Sequence, residues 1–386
     1  MVSSMLLVNM QNTQATQATA ENTWETMQSL PYLLSGVAVT VGEKIYIFSS
    51  WGYITHLFVY DTQSQTLNET ASMPTYRTRF GVAVVDQKIY TVGGQHSYPL
   101  PGGAIGTYPT NATEAYDTQT GTWETKQSAP DSDSIMIANA VGGKIYIIYE
   151  SYMSAYDPET DIWTTKAALP QEVSGPQYSC AIDDKIYVIK DSAGDDVYTS
   201  TIGEGKLHIY DTTTETWSTG ATLPTFYKDC RMVATTGEHA PKRIYLVGGA
   251  IWLNSLLFDF DCVNATFSYD PVSDFWSRAA DMPTARQSAA VAVVGDKIYA
   301  IGGGIQAYWL DPSQTSAVEV YTPFGYVNVQ ATATPSSIPE SPQQPALPEA
   351  TAVIVGAVIA GAVIAATAIL VYYHKRLKTA KQNIPN

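Results

Sequence analysis

Lys44-Ile45-Tyr46 opens a short apolar run, and the same tripeptide pattern returns five more times along the chain. The other copies are Lys88-Ile89-Tyr90, Lys144-Ile145-Tyr146, Lys185-Ile186-Tyr187, Arg243-Ile244-Tyr245 and Lys297-Ile298-Tyr299. A second tyrosine follows each copy, with Asp after it in the first five: Tyr60-Asp61, Tyr116-Asp117, Tyr156-Asp157, Tyr210-Asp211, Tyr269-Asp270 and Tyr321-Thr322. A strand-patterned repeat of about 40–58 residues indicates a β-propeller rather than a helical solenoid.

The spacing inside each repeat predicts four strands. A tryptophan stands seven residues after the second tyrosine in four repeats, and Leu67 takes that place in the first: Trp123, Trp163, Trp217 and Trp276. Turn formers such as Asp157-Pro158 lie between tyrosine and tryptophan, which predicts a hairpin of the third and fourth strands. Runs such as Gly81–Val85 supply the first strand, and the tripeptide supplies the second. Six repeats of four strands predict an all-β, six-bladed propeller.

The pattern resembles the Kelch family, in which paired glycines close the second strand before the tyrosine and the tryptophan. The pairs here are Gly93-Gly94, Gly248-Gly249 and Gly302-Gly303. The resemblance covers about residues 21–325, and it implies that these glycines allow a close approach of neighbouring strands near the ring axis. Three blades depart from it, with Ser49-Ser50, Tyr149-Glu150 and Lys190-Asp191 at the glycine positions.

The two ends of the repeat region complement each other. Tyr321 has no tryptophan seven residues on, whereas Trp24 has no Tyr-Asp before it. We therefore expect the N-terminal strand to complete the last blade of a propeller domain at 21–330, so that the ring has no free edge.

Composition excludes some classes of function. The chain has 21 Lys and Arg against 36 Asp and Glu, a formal charge of −15, which argues against a nucleic-acid partner. Three cysteines are too few for a disulfide framework. Cys230 and Cys262 fall in one blade and could pair, which the sequence leaves open, and Cys180 lies in an apolar strand.

The C-terminal region predicts a membrane anchor. Residues 331–350 form a Pro-rich linker, and residues 351–373 form one apolar segment without charge, long enough for a transmembrane helix. The tail 374–386 is basic, so the positive-inside rule predicts a cytoplasmic C-terminus and an extracellular propeller in the cell membrane. Gly356 with Ala360 is a small-xxx-small pair, which leaves open a weak homodimer through this helix.

Export and glycosylation follow from that topology as expectations. Residues 1–20 are uncharged and contain only a short apolar patch, so we interpret them as a degenerate or truncated signal peptide. Three sequons begin at Asn68, Asn111 and Asn264.

Binding residues are expected on one face of the ring, where the fourth-to-first linkers and the long second-to-third loops emerge. Aromatic side chains are frequent in those loops, and arginines follow the linker prolines. The candidate ligand-binding residues are Arg77, Arg79, Tyr98, Tyr108, Tyr198, Arg231, Trp252, Phe258, Arg286, Tyr308 and Trp309. The resemblance to Kelch proteins implies that such arginines point into the channel mouth and bind acidic ligands. The alternatives are rim arginines paired with acids, and aromatic rings that only cover their own loops.

Catalysis is the less favoured interpretation. The histidines fall in different blades without metal-ligand spacing, and no nucleophile elbow, zinc or P-loop motif occurs, so we expect no metal and no cofactor. A sugar-modifying enzyme resembling the Kelch-type sialic-acid mutarotases would need only an arginine and an acid or histidine at the mouth. The sequence thus predicts a single-pass surface module for binding or adhesion, with a protein or glycan ligand.

Overall fold

A computed structural model describes residues 20–328, apart from 52, 100–104, 133–136, 150–151, 167–168, 171–177, 192–202, 255–258 and 306–312. Six antiparallel sheets of four main strands follow one another around a ring. We number these blades 1 to 6 by the order of their Lys-Ile-Tyr copies. The predicted all-β, six-bladed propeller is confirmed.

Each blade runs from its innermost to its outermost strand. Blade 1 contains β2 Val37–Val41, β3 Lys44–Trp51, β4 Ile54–Asp61 and β5 Thr66–Thr70; blade 2 contains β6 Gly81–Val85, β7 Lys88–Val92, β10 Thr113–Asp117 and β11 Thr122–Lys126; blade 3 contains β12 Ile137–Val141, β13 Lys144–Ile148, β14 Met153–Asp157 and β15 Ile162–Thr165. Blade 4 contains β16 Tyr178–Ile182, β17 Lys185–Asp191, β18 Gly203–Asp211 and β19 Thr216–Thr219; blade 5 contains β21 Arg231–Ala234, β22 Ile244–Val247, β25 Thr266–Asp270 and β26 Phe275–Arg278; blade 6 contains β27 Ala290–Val294, β28 Lys297–Ile301, β29 Val318–Thr322 and β1 Thr23–Thr26. Three further elements decorate the ring: the hairpins β8 Gln95–Pro99 with β9 Ile105–Pro109 and β23 Ala250–Asn254 with β24 Asp259–Cys262, and the strand β20 Leu223–Phe226, which pairs with β18.

The repeat residues join neighbouring blades. Six apolar clusters lie at the six blade-to-blade contacts, each built from inner-strand side chains and the buried tyrosines of the repeat. The indole N–H of the outer-strand tryptophan donates to a backbone carbonyl that follows the preceding blade, as with Trp123 to Ala71 (2.8 Å) and Trp276 to Ala221 (2.8 Å). Trp163 makes the same bond to Gln127 O, so in blades 2, 3 and 5 the tryptophan connects its blade to the previous one.

The N-terminal strand closes the ring as predicted. β1 pairs with β29 in the register Trp24 opposite Tyr321, and the two rings are 5.3 Å apart. The Trp24 indole donates to Ala280 O at 2.9 Å, as the tryptophans of blades 2, 3 and 5 do to their own preceding blades. The first and last strands of the repeat region thus share one sheet.

The glycine pairs are required by the linker that enters the blade. Gly94 has φ +94°, and a Cβ there would lie 2.5 Å from Thr78 O. Gly303 has φ +102°, and its Cβ would lie 2.8 Å from Gln287 O. A side chain at either position would meet both a left-handed backbone and the linker itself. In blade 1, where serines replace the pair, β3 instead continues through Ser49-Ser50 to Trp51.

Both termini of the described region lie on the same face. β1 begins, and β29 ends, at the side that carries the short first-to-second and third-to-fourth turns, which we name the short-turn face. Beyond β29 the chain packs on the turn of blade 5: Val327 N donates to His239 O at 2.7 Å, and the Tyr326 ring stacks on His239. Among the residues described, no helix has the length and apolarity needed to cross a membrane, and the predicted span 351–373 lies outside them.

None of the three cysteines, all within the described residues, forms a disulfide, so the pair considered for Cys230 and Cys262 is not made. Cys230 is buried in the cluster between blades 4 and 5. The Cys262 thiol faces blade 6 instead and donates to Gly304 O at 3.3 Å. The two sulfurs therefore serve different blade contacts.

Candidate ligand-binding face

The face opposite the short turns, which we name the long-loop face, carries the fourth-to-first linkers and the second-to-third loops. Arg77 and Arg286 lie in two of these linkers, and both side chains are fully buried (0% exposed). Arg77 pairs with Glu114 at 2.9 Å, and Arg286 pairs with Glu319. The prediction that these two arginines contact a ligand is therefore corrected: the acid-paired alternative is the one observed.

The two arginines have the same structural role in blades 2 and 6. Arg77 donates to the carbonyls of Gly93 and Ala112 and to the Thr91 hydroxyl. Arg286 likewise donates to the carbonyls of Gly302 and Ala317 at 3.0 Å each. Both arginine side chains thus donate to backbone carbonyl groups at the point where the glycine pair interrupts the hydrogen bonds between the strands.

Burial lowers the pKa of Arg77 to about 10, because a charged guanidinium loses its hydration there, and Glu114 opposes that fall. The same desolvation lowers the pKa of Arg286, opposed by Glu319. Both side chains remain cationic at neutral pH. Each carboxylate is thus needed to balance a charge that has no access to water.

Arg231 lies at the axial opening. It is the first residue of the inner strand of blade 5, and it donates to Cys230 O (3.1 Å) and to Gly36 O (3.2 Å) ahead of the inner strand of blade 1. Since blades 5 and 1 are not neighbours, this side chain spans the channel mouth. Its two terminal nitrogens are engaged with backbone carbonyls, which leaves little of the side chain for the acid-gripping or catalytic role considered above.

Arg79 differs from the other predicted arginines. It is exposed, and within the described part of the chain no hydrogen bond or ion pair engages it. Its backbone has φ +56°, the conformation that Asp229 and Ser288 adopt at the matching positions of blades 5 and 6. Of the predicted arginines, Arg79 is thus the one that is free to meet a ligand.

Tyr98 and Tyr108 stand on the hairpin β8–β9, which rises from the second-to-third connection of blade 2. They remain 39% and 49% exposed although their rings are 5.7 Å apart. Gly106 lies opposite Tyr98, and a Cβ on it would come within 2.5 Å of the tyrosine ring. The Tyr98 ring therefore lies over the backbone of Gly106, where there is no side chain in its way. The two tyrosines pack against each other and also remain exposed, so each of the two predictions for this pair is correct in part.

The hairpin tyrosines continue into a longer aromatic array. His96 lies 4.9 Å from Tyr108 and 6.1 Å from Tyr76, and Tyr76 lies 5.8 Å from Tyr53 at the tip of β3–β4. The His96 Nδ1 contacts Tyr76 O at 2.5 Å. Because a carbonyl can only accept, Nδ1 carries a proton and the neutral ring offers Nε2 as an acceptor.

Blade 1 adds a supported tryptophan. The Trp51 ring stacks on His56 with centroids 3.8 Å apart and planes 13° apart, and it stays 46% exposed. His56 in turn contacts Glu69 through Nδ1 at 2.7 Å. One face of the indole is thus stacked on the imidazole, and Phe58 lies 5.7 Å away, while nearly half of the side chain is exposed to solvent. We name Trp51, Tyr53, Tyr76, His96, Tyr98 and Tyr108 the aromatic surface.

Sequence reasoning missed the blade 1 part of this surface. The available signal was the absence of the glycine pair: Ser49-Ser50 lets the strand continue, so Trp51 and Tyr53 rise above the ring. Four of the predicted binding residues lie outside the described part of the chain: Tyr198, Phe258, Tyr308 and Trp309. The backbone of Trp252 belongs to β23, but its side chain is outside the described part.

The sequons differ in accessibility. Asn68 is exposed on the outer strand β5. The Asn111 side chain donates to Ala129 O at 3.0 Å, and Thr113 is fully buried. Thr266, the hydroxyl residue of the sequon at Asn264, is also fully buried. A glycan therefore fits the folded propeller best at Asn68, and its attachment stays a prediction.

The described residues contain no group of three or more His, Cys, Asp or Glu side chains placed to hold a metal ion. Polar chemistry on the long-loop face of blades 1 and 2 rests on Arg79, His96 and the tyrosine hydroxyls. These groups can bind a partner by stacking, hydrogen bonding and charge.

The sequence is similar to that of known Kelch-repeat proteins. A family model for the FKB95 Kelch-repeats domain matches residues 5–237, more than half of the chain. Similar curated proteins are an F-box/kelch-repeat protein of Arabidopsis thaliana (32% identical; 31% of this chain, 30% of that protein), Kelch-like protein 35 of Mus musculus (27%; 63% and 38%) and Kelch-like protein terF of Aspergillus terreus (28%; 72% and 53%). This chain therefore spans about a third to a half of the length of these relatives.

The fold is also similar to a solved structure, that of YjhT. The TM-score is 0.60 with 14% sequence identity, and the match covers 76% of this chain and 96% of that one. At this identity the likeness concerns the fold alone.

Proposed function

Since this chain belongs to the Kelch-repeat family of the FKB95 type, we propose that its propeller is a binding module that holds its ligand on the aromatic surface of blades 1 and 2. A single observation carries the proposal. Five rings, from Tyr53 to Tyr108, form a continuous series of ring contacts on the long-loop face, and Trp51 lies on the same strand hairpin as Tyr53. The four most exposed of these six side chains remain 39–49% exposed although they contact other rings. Exposed aromatic clusters on a rigid scaffold are a common mark of binding sites.

We propose further that the C-terminal segment 351–373 anchors this module in the cell membrane, with the propeller outside the cell. Support for this part of the proposal comes from the sequence: the segment is apolar and without charge, and the tail that follows it is basic.

The binding role is tested by removing rings. Tyr98→Ala with Tyr108→Ala in the full-length protein should weaken capture of array-selected glycans or peptides by about 1–3 kcal/mol, because truncating an aromatic side chain that a ligand covers commonly costs this much. The matched control is Phe275→Ala, a 63% exposed ring on the short-turn face. Equal losses in both variants, or a fall in melting temperature of the tyrosine variant without a change in binding, would refute the proposed site.

The membrane topology is tested on intact cells. External protease should cut the Pro-rich linker between Ser336 and Glu349 and release a fragment of propeller size, while a tag after Asn386 stays protected. The reason is that an extended proline-rich linker outside the bilayer is open to proteolysis. Digestion of the C-terminal tag by external protease would show that the C-terminus is outside the cell and would contradict the proposed orientation.

A further inference from the structure

The long-loop face of blades 1 and 2 has an unusual charge. Its linkers and loops are residues 27–36, 49–56, 71–80 and 93–112, and they hold no Asp or Glu in a chain with 36 of them. The corresponding segments of every other blade contain at least one acid: Asp131 and Glu150 in blade 3, Glu172 and Asp195 in blade 4, Asp229 and Asp261 in blade 5, and Asp281 and Asp311 in blade 6. A region without carboxylates on a protein of charge −15 is a local exception.

Two acidic residues outside these loops lie beside this region. Glu114 balances the buried Arg77, and the half-exposed Glu69 near the long-loop end of β5 contacts His56 Nδ1. Arg79 is left exposed and unpaired among the described residues. The aromatic surface is therefore bordered by one free positive charge and by no free carboxylate of its own loops.

Building on the proposed function, we infer that the aromatic surface binds an anionic oligosaccharide, with sugar rings on the open tyrosine and tryptophan faces and an acidic substituent at Arg79. Charge complementarity selects an anion, since the protein as a whole carries a charge of −15, whereas these loops hold no carboxylate and one exposed arginine. A guanidinium also matches the geometry of a carboxylate or sulfate.

The arrangement of the rings favours a saccharide over an acidic peptide. Ring-to-ring steps of 4.9–6.1 Å along Tyr53, Tyr76, His96 and Tyr108 are comparable to the length of one pyranose ring. Trp51 is stacked on His56 and remains 46% exposed, so its exposed part offers a preorganised apolar surface to the C–H face of a sugar. The tyrosine hydroxyls and His96 Nε2 then meet sugar hydroxyls as donors and acceptors. Peptide anchors, by contrast, insert into enclosed and desolvated pockets.

The test compares three probes on the full-length protein by calorimetry. They are an oligogalacturonide, its methyl ester as an uncharged match, and a polyglutamate peptide. We expect the acidic saccharide to bind at least about tenfold more tightly than its ester, and this difference should shrink as salt rises. Arg79→Asn, which tolerates φ +56°, should remove most of the preference for the acid, and Arg79→Lys should keep much of it.

Controls separate the charge from the surface. Lys144→Gln removes an exposed cation from the short-turn face and should leave all affinities unchanged, whereas Trp51→Ala should weaken the acid and the ester alike. Equal affinity for acid and ester, or no binding of either saccharide, would overturn the inference. Binding of polyglutamate alone, lost in Trp51→Ala, would overturn it too while leaving the proposed binding surface intact. Loss of ring dependence for every probe would remove the proposed function as well.

Discussion

Glu319→Ala should destabilise the protein by about 3–5 kcal/mol, because it leaves Arg286 charged and unpaired in a fully buried site. The substitution also removes the acceptor for the Thr284 hydroxyl, which donates to Glu319 Oε1 at 2.6 Å. Urea unfolding of the full-length protein, followed by circular dichroism, measures the loss.

Two comparisons make this prediction specific. Arg286→Met combined with Glu319→Leu should recover part of the loss, since a matched apolar pair no longer buries an isolated charge. Lys144→Gln breaks an exposed pair with Asp157 (3.3 Å) and should change the free energy of unfolding by less than about 1 kcal/mol. A loss in Glu319→Ala no larger than in Lys144→Gln would mean that the buried pair does not hold blade 6 together.

Trp24→Ala should cost about 3 kcal/mol in the same assay, because it removes a large ring from the contact between blades 5 and 6 and a donor from Ala280 O. The effect should spread to the whole ring, since β1 is the strand that closes blade 6. Glu25→Ala changes the exposed neighbour on the same strand and serves as the control. Unfolding that is unaffected by Trp24→Ala would show that closure does not depend on this strand.

The ring, its closure and the strand order could be predicted from the sequence because each rests on a repeated local signal. Tyr321 lacks its tryptophan and Trp24 lacks its tyrosine, and the structure joins them in register. The disulfide could not be decided in the same way. Cys230 and Cys262 share a blade, yet their sulfurs face opposite neighbours, which depends on strand packing rather than spacing.

The site was harder to predict, since similar residues have different surroundings. Arg77 and Arg79 are two positions apart in one linker, but Arg77 points into the blade against Glu114 and Arg79 is exposed. The sequence pattern does not predict Trp51 as a binding residue, because it follows a serine pair rather than lying in a long loop. Only the continued strand β3 reveals that this pair raises an aromatic hairpin tip.

The most direct test of the proposed site is hydroxyl-radical footprinting of the full-length protein with and without its array-selected ligand. We expect Trp51, Tyr98 and Tyr108 to become protected when the ligand is bound, while Phe275 and Phe324 on the short-turn face keep their reactivity. Protection confined to the short-turn face, or to the long-loop face of blades 3 to 5, would contradict it.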